Sequence, residues 1–259
     1  MFDPKMSVIT GGGSGIGAAM AAALIKRGSR VIIADINLEN SQQTALALGN
    51  FAEAMFLDVT DNDAVEALFA DISARYGTVD CLVNCAGINN YAEVLETKTS
   101  DWIRVLSTNL TGTIFPSLAA YRIMAKHRQG TIINMGSMAT FLVSPMFAPY
   151  TTSKFGVVGF SRALAVEAEA HGINVSVVCP GNIITPMRGV KYELSRFTPD
   201  MPVEQAVETI LRDVERRRRI IVFPKHAKLL WWLDRLCPSL LNPIRRKIFK
   251  RAQARIKTG

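Results

Sequence analysis

Thr10-Gly11-Gly12-Gly13-Ser14-Gly15-Ile16-Gly17 stands between a short apolar run, Met6 to Ile9, and an alanine-rich stretch that continues to Arg27. Strand, glycine turn and helix in that order open a βαβ unit, and the glycines have three physical jobs there. They accept the positive φ of the turn, let the backbone approach a pyrophosphate, and let the helix pack closely on the strand. The helix N-terminus then offers unpaired N–H groups and the positive end of its dipole to phosphate oxygens. A merely tight turn needs neither the preceding strand nor the following helix, so the context favours the phosphate-binding reading.

Downstream, Val31-Ile32-Ile33-Ala34-Asp35 is a β-branched strand, a second helix follows, and Ala54 to Val59 forms a third strand. Strands alternating with helices imply a parallel sheet. Further strands are expected at Val79 to Asn84, Thr131 to Met135, Asn174 to Cys179 and Arg219 to Pro224. The expected fold is therefore α/β: a single Rossmann-type, doubly wound parallel sheet of about seven strands, flanked by helices. Asp35 lies roughly twenty residues past the glycines, where a carboxylate accepts hydrogen bonds from ribose hydroxyls and repels a 2′-phosphate. Neither the turn nor Ile36-Asn37 carries an arginine or lysine to offset that repulsion. NAD (NADH) is thus favoured over NADP, the alternative for Asp35 being an ordinary strand-end or helix-capping acid.

Open parallel sheets bind ligands at the carboxyl ends of their strands, and small or polar residues collect at those ends here. Asp58-Val59 closes the third strand, Asn84-Cys85-Ala86-Gly87 follows the fourth, Gly136-Ser137 the fifth and Pro180-Gly181 the sixth. A long helical stretch carries Trp102, Ile103, Val105, Leu106, Leu110 and Ile114 on an apolar stripe, with Asn109 set among them. An interior asparagine is either a satisfied core hydrogen bonder or a group that bends the helix and holds a water. Tyr150 and Lys154 sit one helical turn apart on one face. A free phenol has a pKa near 10, and a neighbouring ammonium favours its phenolate. The bland alternative for this pair is a solvated lysine lying along a tyrosine ring.

Taken together in this order, the glycine turn, Asp58, Asn84 to Gly87, Asn109, Ser137, Tyr150, Lys154 and Pro180-Gly181 through Thr185 resemble the short-chain dehydrogenase/reductase family, single-domain branch, over roughly residues 5 to 222. The resemblance implies a catalytic set of Asn109, Ser137, Tyr150 and Lys154. Tyr150 would be the acid/base, Lys154 would lower its pKa and hold the nicotinamide ribose, Ser137 would orient the substrate oxygen, and Asn109 would support a water in a proton relay. It implies a cofactor site of Gly11, Ser14, Gly15, Ile16, Gly17, Asp35, Asp58, Val59, Asn84, Ala86, Gly87, Tyr150, Lys154, Pro180, Gly181, Ile183 and Thr185. Asp58 would touch the adenine, Asn84 to Gly87 would line the cofactor channel, and Thr185 and Ile183 would meet the nicotinamide end. Three departures stand out: Cys85 replaces the second asparagine of the Asn-Asn-Ala-Gly turn, the segment from Thr185 to Pro202 is short, and a basic tail replaces the family's usual ending.

The implied activity is NAD-dependent interconversion of a hydrophobic secondary alcohol and its ketone, of steroid, terpenoid, aryl or fatty-chain type. Alternatives are a reductase of a ketone or 3-oxoacyl substrate, and a non-catalytic dinucleotide-sensing protein. The hydrophobic substrate is suggested by Met138, Phe141, Leu142, Val143, Met146 and Phe147 before Tyr150, and by Met187, Val190, Tyr192, Leu194 and Phe197 after Thr185. The same residues could instead pack in the core or between subunits.

The chain has 259 residues, 49% hydrophobic and 20% charged, enough to bury one large core. Four scattered cysteines and three histidines complete no metal site. No secretory signal is evident, and no apolar run approaches the roughly 20 residues that span a bilayer, so a cytoplasmic location is expected. The net charge of +8 is unevenly placed: from Lys225 onward ten basic residues face Asp234 alone, which leaves residues 1–224 near neutral. Two domains follow, 1–224 as the NAD-binding catalytic domain and 225–259 as a basic amphipathic helical extension. The extension divides at Cys237-Pro238 and interleaves Leu229, Leu230, Trp231, Trp232, Leu233 and Leu236 with cations. It suits an anionic membrane surface, the mouth of the substrate site, or another subunit of a homodimer or homotetramer. Basic residues mixed with large aliphatics point away from nucleic acid.

Overall fold

The computed structural model describes residues 2–140, 145–186 and 200–256, the side chains of 225–227, 230, 238 and 251–256 excepted. Its strands arise where β-branched and apolar residues predominate. These are β1 (Met6–Thr10), β2 (Arg30–Asp35), β3 (Ala52–Phe56), β4 (Cys81–Asn84), β5 (Gly130–Met135), β6 (Ile173–Pro180) and β7 (Ile220–Phe223). All seven pair in parallel in the order β3-β2-β1-β4-β5-β6-β7, the expected doubly wound sheet. β3 ends earlier than expected, at Phe56, so Asp58 and Val59 follow the strand.

Period-two alternation sends consecutive side chains to opposite faces. Val8, Ile32, Leu82 and Ile132 join one core with Phe69 and Ile72 of α3 (Asn62–Tyr76), Ala120 and Met124 of α5 (Gly112–His127), and Leu164 and Ala168 of α6 (Ala148–Glu169). Ile9, Ile33, Val83 and Ile133 join the other, with Met20 and Leu24 of α1 (Gly15–Ile25) and Ile210 and Leu211 of α7 (Val203–Glu215). Between β2 and β3 runs α2 (Leu38–Leu48), capped by Asn37, whose side chain accepts from the Asn40 N–H. Chain order reverses between β1 and β4, and a crevice opens there at the carboxyl ends.

The stretch bearing Asn109 is not one α-helix. α4 (Thr99–Leu106) passes through a π-helical turn, Ser107–Thr111, into α5. Pro116 has no N–H to return to the carbonyl four residues back, which weakens the α ladder at this place. Hydroxyls take up the carbonyls instead: Thr111 Oγ1 donates to Ser107 O at 2.6 Å, and Thr113 Oγ1 donates to Asn109 O at 2.8 Å.

Beyond β7 come α8 (Lys225–Leu236), a 3-10 turn at Pro238–Leu241 and α9 (Asn242–Ile256), with the expected break at Cys237-Pro238. Trp231 packs against Met138, Val157 and Val222, and Leu241 is buried. Asp234 pairs with Arg245, joining α8 to α9. Leu229, Trp232, Leu233 and Leu236 remain exposed. Among the described residues no helix is long and apolar enough to cross a membrane.

Candidate active site

The glycine turn leaves β1 with Gly11 at φ +66°, and a β-carbon there would lie 2.5 Å from Ala86 N, so the turn after β4 packs directly on it. At Gly17 a β-carbon would meet Gly11 O at 2.1 Å, which is why α1 can begin so close beneath the turn. The result is a bare backbone cradle at the mouth of α1. It opens into a cleft of about 590 Å³ that crosses the sheet in strand order. The wall comprises Gly11, Ser14, Gly15, Ile16, Gly17 and Asp35, then Asp58 and Val59, then Ala86 and Gly87, and finally Tyr150, Lys154, Pro180 and Thr185.

Asp35 is held in place by two backbone donors, Gly13 N to Oδ2 and Asn37 N to Oδ1, both at 2.9 Å. It is not the cap of α2, since Asn37 has that task. Asp58 Oδ1 accepts from Thr60 N and Thr60 Oγ1, at 2.9 and 2.8 Å, in a tight turn that presents the carboxyl to the cleft. Thr185 lies within 3.4 Å of where a Gly15 β-carbon would be, bringing the segment after β6 across the cradle.

At the other end Lys154 is buried and donates from Nζ to Met135 O at 2.8 Å, with Nζ 5.7 Å from the Tyr150 ring centre. Burial pushes the ammonium down to about 8, while the adjacent Cys85 and Cys179 thiols act in the opposite direction. Those thiols are themselves pushed up to about 12 by burial. Ser137, partly exposed beyond Gly136, accepts on Oγ from Ala139 N at 3.1 Å. Its hydroxyl proton can therefore point to another oxygen.

Asn109 is completely buried, with its amide fully engaged. It accepts from Ile88 N at 2.8 Å and donates to Ile88 O at 2.9 Å and to Ser153 Oγ at 3.0 Å. A β-carbon on Gly87 would lie 3.2 Å from Asn109 Oδ1 and 3.7 Å from Lys154 Nζ, so these three positions share one small space.

Five expected site residues do not reach the cleft wall: Ser137, just beyond Gly136, and Asn84, Gly181, Ile183 and Asn109. Asn84 is buried, donating to Asn134 Oδ1 at 2.8 Å and Ser117 Oγ at 2.9 Å, with Thr10 Oγ1 donating to it. It ties β1, β4, β5 and α5 together from inside. Gly181 packs beside Pro224 and Met138. Ile183 is buried in the α7 core and forms a single parallel bridge to Met201. Asn109 acts from behind Gly87. The wall also holds Ile36, Thr60, Arg104, Ser107 and Thr108, which the sequence pattern does not single out. Arg104, Ser107 and Thr108 arrive there because the end of α4 and the π-helical turn face the cleft.

Of the expected apolar substrate lining, Phe141 to Val143 and Met187 to Phe197 lie outside the described residues. Met138 belongs to the core beneath α8. Met146 and Phe147 are buried against Tyr91, Tyr150 and Phe249, with the Phe147 ring 6.4 Å from Tyr150 and 5.0 Å from Tyr91.

Comparison with known proteins gives a family-model match, short chain dehydrogenase, over residues 5–194. A 3-oxoacyl-[acyl-carrier-protein] reductase of Haemophilus influenzae is 38% identical over 72% of this chain and 77% of its own. A sorbitol dehydrogenase of Cereibacter sphaeroides is 38% identical over 70% and 71%, and a D-threitol dehydrogenase of Mycolicibacterium smegmatis 36% over 72% and 73%. The crystal structure of gox2181 superposes with a TM-score of 0.77 at 28% identity, covering 85% of this chain and 94% of that one.

Proposed function

The chain belongs to the short-chain dehydrogenase family of NAD(P)-dependent oxidoreductases acting on CH–OH and keto groups, and from that premise we propose that it interconverts a hydrophobic secondary alcohol and its ketone with NAD. The observation that carries this reading is the buried Lys154 ammonium beside the Tyr150 ring, at the end of a cleft whose other end is the bare glycine cradle and Asp35. The cradle, the helix N-terminus and an acid held for ribose hydroxyls fit a dinucleotide without a 2′-phosphate. When bound, NAD supplies a hydride acceptor or donor at its nicotinamide ring.

The chain's own residues supply the proton chemistry and the alignment. Tyr150 Oη takes the proton of the alcohol in oxidation and returns it to the carbonyl oxygen in reduction. Lys154 holds a positive charge against the phenolate form, at low dielectric, where that charge counts most. Ser137 donates to the substrate oxygen from a hydroxyl whose lone pair is already engaged by Ala139 N. Asn109 clamps the Ile88 backbone and so fixes the Gly87 segment against Lys154.

A screen of hydrophobic secondary alcohols with NAD, and of the matching ketones with NADH, tests the substrate class. Tyr150→Phe should lower turnover about 10²–10⁴-fold while leaving NADH binding intact, by fluorescence titration. Turnover near wild type in that variant would overturn the assignment. The reductase of a 3-oxoacyl substrate is the second reading, favoured by the similarity to the Haemophilus influenzae reductase. A homodimer or homotetramer fits the family, and the tail offers a distinct contact. α8 shows Leu229, Trp232, Leu233 and Leu236 to solvent among exposed Lys228 and Arg235, an arrangement that suits peripheral attachment to an anionic lipid surface. A second copy of so basic a face would repel the first.

A further inference from the structure

A second cavity opens at the entrance of α6, where Met146 and Ala148, the neighbours of Phe147, form part of its wall. It measures about 430 Å³, within the range that holds small ligands, and its walls include Pro145, Met146, Thr151 and Phe249. Val94 and Leu95 also line it, beside Glu93 and Thr152, although they are 61% and 92% exposed. Adjacent exposed aliphatics on a cavity rim offer apolar surface to a ligand that enters it. The cavity is built with care: Met146 is held at φ +75°, a region that costs a non-glycine residue free energy, and its carbonyl accepts from Ala92 N at 3.0 Å. That bond straps the segment before Val94 to the entrance of α6. Phe249, half-buried on α9, reaches the same cluster as Tyr150, Phe147 and Tyr91. Tyr150 lines the cofactor cleft and its neighbour Thr151 lines this cavity, so a single turn of α6 touches both.

We propose that this cavity receives the apolar chain of the substrate and that Phe249, supplied by the C-terminal helix, sets how long that chain can be. The inference rests on the secondary alcohol and ketone reading and deepens it. With the reacting carbon at Tyr150, an unbranched alkyl chain turning past Phe147 would bury its methylenes against Met146, Leu95 and Phe249. The family match ends at residue 194, so this wall comes from the part of the chain that lies outside the match.

Two measurements on full-length protein separate this inference from its premise. In the first, kcat/KM is followed along methyl ketones from butanone to decanone with NADH. Wild type should gain up to about fourfold per methylene. Phe249→Trp, which fills the cavity, should stop that rise and lose at least tenfold on decanone, whereas the smaller side chain of Phe249→Leu should carry the rise on to ketones longer than decanone. In the second, decanone should raise the melting temperature of wild type without cofactor, and Phe249→Trp should abolish the rise. Equal melting shifts in wild type and both variants would overturn the proposal, whatever the kinetics. If wild type reduces none of the ketones, the reading of the reaction falls, and the melting shift alone decides the cavity.

Discussion

Helices α1 and α8 carry apolar residues at the same spacing and treat them in opposite ways. Gly17, Met20, Ala21 and Leu24 lie on the face that α1 buries against the sheet, whereas Leu229, Trp232, Leu233 and Leu236, at the same intervals, lie on the face that α8 turns to water. α8 holds to the body through Trp231 instead, on its other side. The packing of the first helix is tight enough to exclude a methyl group at Gly17, which suits the proposed role of holding phosphates at a fixed distance from the sheet. The second lies beyond residue 194, where the family match stops, and its outward stripe is free to meet a partner. On the proposed reading, the N-terminal half answers to a cofactor and the C-terminal part to whatever the enzyme reaches for.

Four experiments would break or sharpen that contrast. The largest effect is expected at Asp35. Two charges about 5 Å apart repel by roughly 3 kcal/mol at an effective dielectric near 20. Asp35→Ser should then swing the NADPH to NADH affinity ratio by up to about a hundredfold, and a ratio that does not move would remove the case for NAD. Gly17→Ala should cost about 1–3 kcal/mol of overpacking, read as a roughly five- to hundredfold loss of NADH affinity. On the other helix, Trp232→Ser with Leu236→Ser should weaken co-sedimentation with anionic liposomes by about tenfold or more, since each large side chain loses its transfer energy, without changing NADH binding. Unchanged sedimentation, together with a smaller particle by light scattering, would assign the stripe to a subunit contact. The last experiment concerns Lys154, whose folded pKa is about 8 against 10.5 for a free lysine. Below about 8 the cofactor-free protein bears the full cost of a buried charge, and that cost fades as pH rises to 10.5 because the folded state then binds fewer protons than the unfolded one. The melting temperature of wild type relative to Lys154→Met should climb through that window.

Much of this was legible in the residues. Apolar runs such as Val31 to Ala34 and Cys81 to Val83 announce buried parallel strands, and the Cys237-Pro238 break marks the division of the tail. Asp35, Tyr150 and Lys154 could be singled out because each is a polar group at a spacing with a physical meaning. Asn84 was misplaced for an equally physical reason: its partners Asn134 and Ser117 are distant in sequence, so nothing local tells a cleft amide from one that crosslinks strands. Arg104 and Thr108 were missed because a helical wheel assumes a constant angle per residue, and the π-helical turn breaks that assumption. The direction of the α8 stripe was also hidden, since periodicity shows that a face exists and not which neighbour it meets.

The π-helical turn at Ser107–Thr111 also amounts to a local frame shift. A π turn accommodates one residue more than an α turn, so everything after it is rotated by about a quarter-turn relative to everything before. Removing Thr108 should let α4 run into α5 as one regular helix, with better hydrogen bonding and a higher melting temperature. It would also swing Asn109 off the Ile88 backbone. A deletion that makes the protein sturdier and the enzyme poorer would show that this helix keeps its extra residue for alignment, at the expense of its own regularity.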